Sequence, residues 1–207
     1  ADVLEIWTDV NGMFTANPKS VKQAQPIEHI SYQEAMELSH FGAKVLYPPT
    51  IQPVLKDSIP IFIKNTFEPE HPGTLISKNY VGEKSRVEII SGTDKVVAIE
   101  VHDPSMVGEV GFDLHIMEIL KKYNISYILK STNANSITQV IWQKDLNDEF
   151  MQELKRSFYE ITVKEAAVVC ALGTNIAQPG ILAKATEALA NNEINIDSFS
   201  QSLKQVN

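Results

Sequence analysis

The run Thr8-Asp9-Val10-Asn11-Gly12 places a hydroxyl and a carboxylate directly after an alternating apolar stretch. Open α/β sheets bind ligands at the carboxyl ends of their strands. There, such a pair could orient a nucleotide or its metal ion, and Lys19 and Lys44 could meet phosphate oxygens. The plainer alternative stays open, because Asp and Asn before Gly are turn formers and two lysines are ordinary surface charge. No G-x-x-x-x-G-K-[ST] segment occurs, which excludes a P-loop.

A second pattern occurs twice. Met106–Gly111 and Asn175–Gly180 are short connections from a strand to a helix, each with glycine at the helix start, and Pro179 suits a first-turn position. Free N–H groups at a helix N-terminus favour a carboxylate, and Glu109 or Asp113 could meet an ammonium group. Together they would suit an amino acid, although strand-to-helix loops also need glycine for geometry alone. The histidines at 29, 40, 71, 102 and 115 show no ligand spacing and read as structural or exposed. Cys170 lies in Val168-Val169-Cys170-Ala171-Leu172 and reads as a small core residue.

These groups need elements to hold them. Leu4 and Ile6 alternate with Glu5 as a strand, Asn11-Gly12 turns, and Met13-Phe14-Thr15 returns as a short arm. Ser31 and Glu34 have capping-box spacing ahead of an apolar stripe at Ala35, Met36, Leu38 and Phe41, which Gly42 ends. Pro48-Pro49 stops that helix, Thr50 to Lys56 forms another, and Ile59 to Ile63 is a buried strand. A loop at Phe67–Gly73 precedes a domain boundary before about Arg86. Beyond it the pattern predicts strands at Val96–Val101, Ile125–Leu129 and Ser136–Trp142. Helices are predicted at about Phe112–Tyr123 and Leu146–Phe158.

An offset of 69 residues repeats this order. It predicts a strand at Ala166–Ala171, a helix at Gly180–Asn191 and a strand at Ile194–Phe199, with Gly111/Gly180, Leu120/Leu189 and Ile125/Ile194 among the identities. A period this long exceeds solenoid repeats and indicates two homologous small domains. On that offset the second copy breaks off inside its third strand, so the chain reads as an internal fragment cut at both ends. Composition fits folded domains: 43% hydrophobic and 21% charged residues exclude wholesale disorder. The net charge of −8 argues against a nucleic-acid groove. One cysteine excludes an internal disulfide framework. No apolar run reaches the length of a membrane span and no signal segment opens the chain, so the cytoplasm is the default compartment.

Several segments then resemble one family in its own order. Leu4-Glu5-Ile6-Trp7-Thr8-Asp9-Val10-Asn11-Gly12-Met13-Phe14-Thr15-Ala16-Asn17-Pro18-Lys19 is similar to the W-T-D-V-x-G-[IMV]-[YF]-T-x-D-P-R segment of aspartate kinases. Phe41-Gly42-Ala43-Lys44-Val45-Leu46-Tyr47-Pro48 resembles their F-G-A-K-V-L-H-P signature. Met106–Phe112 with Asn124-Ile125-Ser126 looks like a first regulatory ACT module, and Gly173–Gln201 like a second. The resemblance implies an α/β fold. The C-terminal piece of an amino-acid-kinase layer would occupy residues 1–80, followed by ferredoxin-like (βαββαβ) modules at 86–160 and 161–207, the second incomplete.

The same resemblance implies a parent enzyme that phosphorylates the β-carboxylate of aspartate from ATP with Mg²⁺, for lysine, methionine and threonine synthesis. Its nucleotide contacts would fall on Thr8, Asp9, Phe14, Lys19, Lys44 and Val45. Phe14 replaces the usual Tyr, Lys19 the usual Arg and Tyr47 the usual His. The family's K-F-G-G-T-S segment does not occur in the chain, so no catalytic residue is assigned and no kinase activity is expected of it alone. An amino-acid effector would fall on Met106, Gly108, Glu109, Gly111 and Phe112, with Asn175, Pro179, Gly180, Ile181 and Gln201. Ile128 stands where lysine-sensitive members carry an aspartate, and Gln201 where threonine-sensitive ones carry a glutamine, so the resemblance favours threonine. It also implies a homodimer through the ACT modules. The rival readings are an ACT-type sensor without enzyme activity and another amino-acid-kinase relative.

Overall fold

The computed structural model describes residues 1–40, 48–84, 86–174 and 176–201. Contacts gather them into two compact units, one of residues 1–92 with 169–195, the other of 93–168 with 196–201.

The first unit is built on a four-stranded sheet of β1 (Leu4–Thr8), β2 (His29–Ser31), β3 (Ile61–Asn65) and β4 (Thr74–Ser77), in the order β1-β3-β4-β2. β1 runs parallel to β3, from Leu4 opposite Ile61 to Thr8 opposite Asn65. β4 is antiparallel to β3 and parallel to β2. Alternation sets the faces, because successive side chains point to opposite sides: Ile61 and Ile63 are fully buried while Phe62 and Lys64 are not. With Ile30, Ile76, Met13 and Leu38 they form the core, each such side chain contributing about 1.5–3 kcal/mol of burial.

Helix α1 (Tyr32–His40) starts directly after β2, and the Ser31–Glu34 capping box forms as its spacing predicts. Helix α2 (Pro48–Leu55) begins two residues earlier than expected. Proline's fixed φ suits a first helical turn, so Pro48-Pro49 opens this helix as well as barring the preceding one. Met13-Phe14-Thr15 pairs as a single bridge from Phe14 to Pro26 and forms no arm beside β1. β4 was not expected. Its four residues carry no long alternation, and its place between β3 and β2 is fixed by tertiary pairing.

The second unit contains most of the larger module. Its elements are β5 (Ile89–His102), α3 (Phe112–Lys122), β6 (Tyr127–Thr132), β7 (Ser136–Trp142), α4 (Asp148–Ser157) and β8 (Glu160–Leu172), of which residues 89–92 and 169–172 count with the first unit. The sheet order β6-β7-β5-β8 is that of a ferredoxin-like βαββαβ fold. β7 is antiparallel to both β5 and β6, with an irregularity in β6 between Tyr127 and Leu129. Val97, Ile99 and Val101 of β5 and Ile137 and Ile141 of β7 face one core with Phe112, Ile116, Ile119 and Leu120 of α3 and Phe150 and Leu154 of α4. β5 extends seven residues upstream of the expected start, and β6 runs to Thr132 rather than Leu129. Helix α4 starts at Asp148 instead of Leu146 because Asn147, in extended conformation, caps it by accepting from Phe150 N at 2.9 Å.

Helix α5 (Ile181–Ala190) lies in the first unit, and its N-cap repeats that of α3. Gly111 and Gly180 both take left-handed φ, +87° and +92°, with no side chain capping the helix. The same unusual backbone thus recurs at positions 69 apart. The strand expected at Ile194–Phe199 does not form. Its counterpart β6 is held by β7 alone, and the residues equivalent to β7 on this offset lie beyond the described ones. Among the described residues no helix is long and apolar enough to cross a membrane.

Candidate functional site

The first candidate site lies at the joint carboxyl ends of β1 and β3. Because these strands are parallel and in register, Thr8 and Asn65 end together, and Thr66 N donates to Thr8 O at 2.8 Å. Thr8 Oγ1 donates to Asp9 Oδ1 at 3.1 Å, leaving the exposed Asp9 carboxylate a second oxygen for a ligand. Asn65 Nδ2 donates to Asn11 Oδ1 at 2.6 Å, Asn65 Oδ1 accepts from Phe67 N at 2.9 Å, and Asn11 Nδ2 donates to Glu68 Oε2 at 3.1 Å. Asn65, buried and serving both connections, ties the loop after β1 to the loop after β3. Sequence reasoning assigned it no role; its signal was its place at the end of a strand parallel to β1.

Gly12 and Thr74 fix the floor of that loop. Gly12 has φ +98°, and a Cβ there would lie 2.4 Å from Thr74 Oγ1. This hydroxyl accepts from Met13 N at 2.8 Å and donates to Ile27 O at 2.6 Å. The loop therefore leaves β1 in one conformation and delivers the half-buried Phe14 to its bridge with Pro26. Lys19 follows in an exposed turn, its backbone N–H bonded to Asn17 Oδ1 at 3.0 Å. Of the expected nucleotide residues, the structure brings Thr8 and Asp9 together and places Phe14 and Lys19 in the segment that follows. Lys44 and Val45 lie outside the described residues.

A carboxylate, a hydroxyl and a lysine can meet sugar hydroxyls and phosphate oxygens. They do not make a metal cage, and no cluster of three or more His, Cys, Asp or Glu able to hold an ion occurs among the described residues. Asp9 is exposed, and a single carboxylate of this kind can act as an outer partner to a cation carried on a ligand's phosphates.

The second candidate site is the start of α3. Asp103 accepts from Ser105 N at 2.9 Å and Ser105 Oγ at 2.7 Å, and its other oxygen accepts from Tyr159 N at 3.2 Å. This pins the 3-10 turn Pro104–Met106. Gly108 and Gly111 both have positive φ and open space where a side chain would stand, and Leu114 N donates to Gly111 O at 2.9 Å. Glu109 is exposed, Met106 packs on the module core, and Phe112 is buried against Phe158, ring centroids 5.5 Å apart. Phe112 can therefore offer an effector its backbone N–H, while its ring serves the core. Asp113 Oδ2 pairs with Lys130 of β6. Ile128 is buried.

The equivalent loop before α5 belongs to the other compact unit. Thr174, buried, accepts from Gly82 N, and Glu88 N donates to Leu172 O at 2.8 Å, so the stem of this loop is tied down. Pro179 and Gly180 are exposed and Ile181 is partly buried. Asn175 lies outside the described residues, and Gln201 is exposed outside any strand.

Comparison with known proteins gives these sites a context. The sequence profile of the amino acid kinase family matches residues 1–65. A bifunctional aspartokinase/homoserine dehydrogenase of Haemophilus influenzae is 37% identical over 97% of the chain, which spans 26% of that protein. The crystal structure of Clostridium acetobutylicum aspartate kinase superposes with a TM-score of 0.90 at 33% identity, over 99% of this chain and 49% of that one. Escherichia coli aspartokinase III, 26% identical, superposes at 0.82 in its complex with lysine and aspartate and at 0.87 in its complex with aspartate and ADP; the chain covers 47% of each. The chain thus spans a quarter to a half of these relatives.

Proposed function

We propose, for a chain that belongs to the aspartate kinase family, that it forms one wall of the nucleotide site together with the regulatory region of an enzyme converting ATP and L-aspartate to 4-phospho-L-aspartate and ADP. The observation that carries this reading is the parallel pairing of β1 with β3, which sets Thr8-Asp9 beside Asn65 at one sheet end. E. coli aspartokinase III, similar over the whole chain, was crystallised with ADP. Here Thr8 and Asp9 would orient the nucleotide, the Phe14 ring would pack on it, and Lys19 with Lys44 would offset phosphate charge. Phosphoryl transfer is catalysed mainly by positioning and charge stabilisation, and Mg²⁺ on the phosphates would supply part of the latter.

The regulatory part would bind an amino acid at the start of α3, its carboxylate on the amides after Gly111. Threonine is the effector this chain favours. A lysine side chain brings a second ammonium, which is costly to bury without a carboxylate partner, and Ile128 offers none. The open helix starts and exposed apolar residues would pair across a homodimer.

Calorimetric titration of MgADP, L-threonine and L-lysine into the chain tests the reading. Binding of MgADP that weakens on Asp9→Asn, and of threonine more tightly than lysine, is expected. MgADP affinity indifferent to Asp9→Asn would remove the nucleotide assignment, and tighter lysine binding would reverse the effector.

A further inference from the structure

The connection from β4 to β5 lies against β2, directly ahead of α1, and brings one carboxylate to another. Tyr80 stacks on His29 of β2, ring centroids 4.5 Å apart, and His29 Nε2 lies 2.6 Å from Ser77 Oγ in a hydrogen bond. Gly82 N donates to Thr174 Oγ1, and a Cβ at Gly82 would collide with Glu88 Oε1. Glu88 N donates to Leu172 O at 2.8 Å, and a side chain at Gly173 would strike Arg86 O. The connection is thus held at one end by β2 and at the other by the turn after β8. All of these residues belong to the first unit.

Glu34 of α1 is 2% exposed. Its Oε2 is taken up by Ser31, while Oε1 is buried without a partner. The charge acting on it from outside its own cap is that of Glu88. Two carboxylates in one such site do not both ionise, and their titration belongs to the pair. Burial raises the Glu88 carboxyl, but Arg86 and the Tyr80 hydroxyl both favour its ionised form, so the proton rests on Glu34. Of the other elements packed on α1, β2 brings His29, which burial holds below its ordinary value. β4 and α2 carry no ionisable side chain. Glu83 of the connection acts on Tyr80, and Cys170 of β8 feels Glu37, one turn along α1.

We propose that Glu34 and Glu88 share one proton, and that this proton clamps the Tyr80–Glu88 connection to α1 as a strap that releases when the pH rises. Loss of the proton leaves two like charges in one buried site. The strap is the side that can leave, because Glu83, Lys84 and Arg86 are exposed while Glu34 is fixed within a helix. The sequence of α1 runs on to Lys44, and β5 carries the chain into the second unit. Release of the strap therefore bears on both parts of the proposed function.

The test is limited trypsin digestion of the full chain across the pH range, each rate taken relative to a small peptide substrate. Cleavage after Lys84 and Arg86 follows the population of the open strap. The closed strap holds the proton, so closure is complete below the ordinary glutamate value of 4.5 and is lost as pH rises through the elevated one. Cleavage should therefore rise about tenfold or more between about pH 5.5 and about pH 8, with the bond after Lys64 in β3 intact. In Glu34→Gln the amide donates to Glu88 as the protonated acid does, and cleavage should stay slow at every pH. Thr174→Val, which removes the acceptor of Gly82 N and no charge, should raise the rate by one factor throughout. A flat profile in the parent overturns the proposal, and so does the parent's slope in Glu34→Gln. Cleavage after Lys64 with the same profile would mean that the whole sheet opens, which also overturns it. Should Glu34→Gln not fold, Glu88→Gln decides the point: it should flatten the profile, and an unaltered slope sinks the shared proton.

Discussion

Ser31 and Glu34 satisfy one another reciprocally across the first turn of α1. Glu34 Oε2 accepts from Ser31 N at 2.9 Å and from Ser31 Oγ at 2.8 Å, and Glu34 N donates to Ser31 Oγ at 3.1 Å. The other carboxylate oxygen, Oε1, is buried and unpartnered. Burying a carboxylate disfavours its charged form. This one is 2% exposed, which gives it a consequence for pH.

Burial, the largest influence, raises the Glu34 pKa. The hydrogen bonds from Ser31 pull the other way, and the nearby charge of Glu88 adds to the rise. The folded chain thus holds this proton more tightly than the unfolded chain does. The corresponding stability is fully present below the ordinary glutamate value of 4.5 and is lost as pH rises through the elevated folded-state value. Glu34→Gln keeps an acceptor for Ser31 and removes the titration. Urea unfolding of parent and variant, compared from about pH 4 to about pH 8, should show the variant gaining relative stability as pH rises. A difference that stays constant across the range would mean that Glu34 does not titrate in this window.

The loop after β1 depends on Gly12 and Thr74. Gly12→Ala must place a methyl group 2.4 Å from Thr74 Oγ1 at φ +98°, so the turn has to move. Thr74→Val leaves Met13 N and Ile27 O without their shared partner; a buried group so orphaned costs about 1–3 kcal/mol. Both variants should unfold at lower denaturant concentration, and both should weaken MgADP, since the displaced loop carries Phe14. Unaltered nucleotide affinity in a measurably destabilised Thr74→Val would separate this loop from the nucleotide site.

Much of this was legible from the residues because the governing signals are local. The Ser31–Glu34 spacing, the glycines at 111 and 180 and the alternation in Ser136–Trp142 each act within a few residues, and each formed as expected. What stayed hidden depends on partners distant in sequence. β4 exists because β3 and β2 flank it. The Asp113–Lys130 pair joins α3 to β6 across a core, and Gln139 looks like any polar residue of an alternating strand until Ile137 and Ile141 show which face it shares. The missing strand at Ile194–Phe199 makes the same point in reverse, as its apolar pattern alone does not produce a ladder.

Cys170 should be chemically quiet. Burial first, and the charge of Glu37 second, push its thiol up to about 12. At about pH 8 the thiolate fraction is then lower than that of an unperturbed cysteine on the order of a thousandfold. Labelling with a thiol reagent should accordingly be slow in the folded chain and rise sharply in denaturant. Rapid stoichiometric labelling of the native chain would mean that the segment around Cys170 opens readily.

The last expectation concerns self-association. Val110 is fully exposed and Leu114 is 62% exposed, one beside Gly111 and the other within the first turn of α3. Helix α5, itself apolar, buries none of its residues within the chain. Covering an aliphatic side chain contributes about 1.5–3 kcal/mol, whereas bringing two chains together costs about 4–15 kcal/mol. Val110 and Leu114, counted on both partners of a two-fold pair, supply an amount within that range and so can decide the equilibrium. Analytical ultracentrifugation at micromolar concentration should give a mass near twice 23.1 kDa. The double change Val110→Asp and Leu114→Asp should return it to the single value, because each partner would then bury charges without counter-ions. A parent chain that sediments only as a monomer would reject the dimer, and a dimer indifferent to the two aspartates would move the contact away from α3.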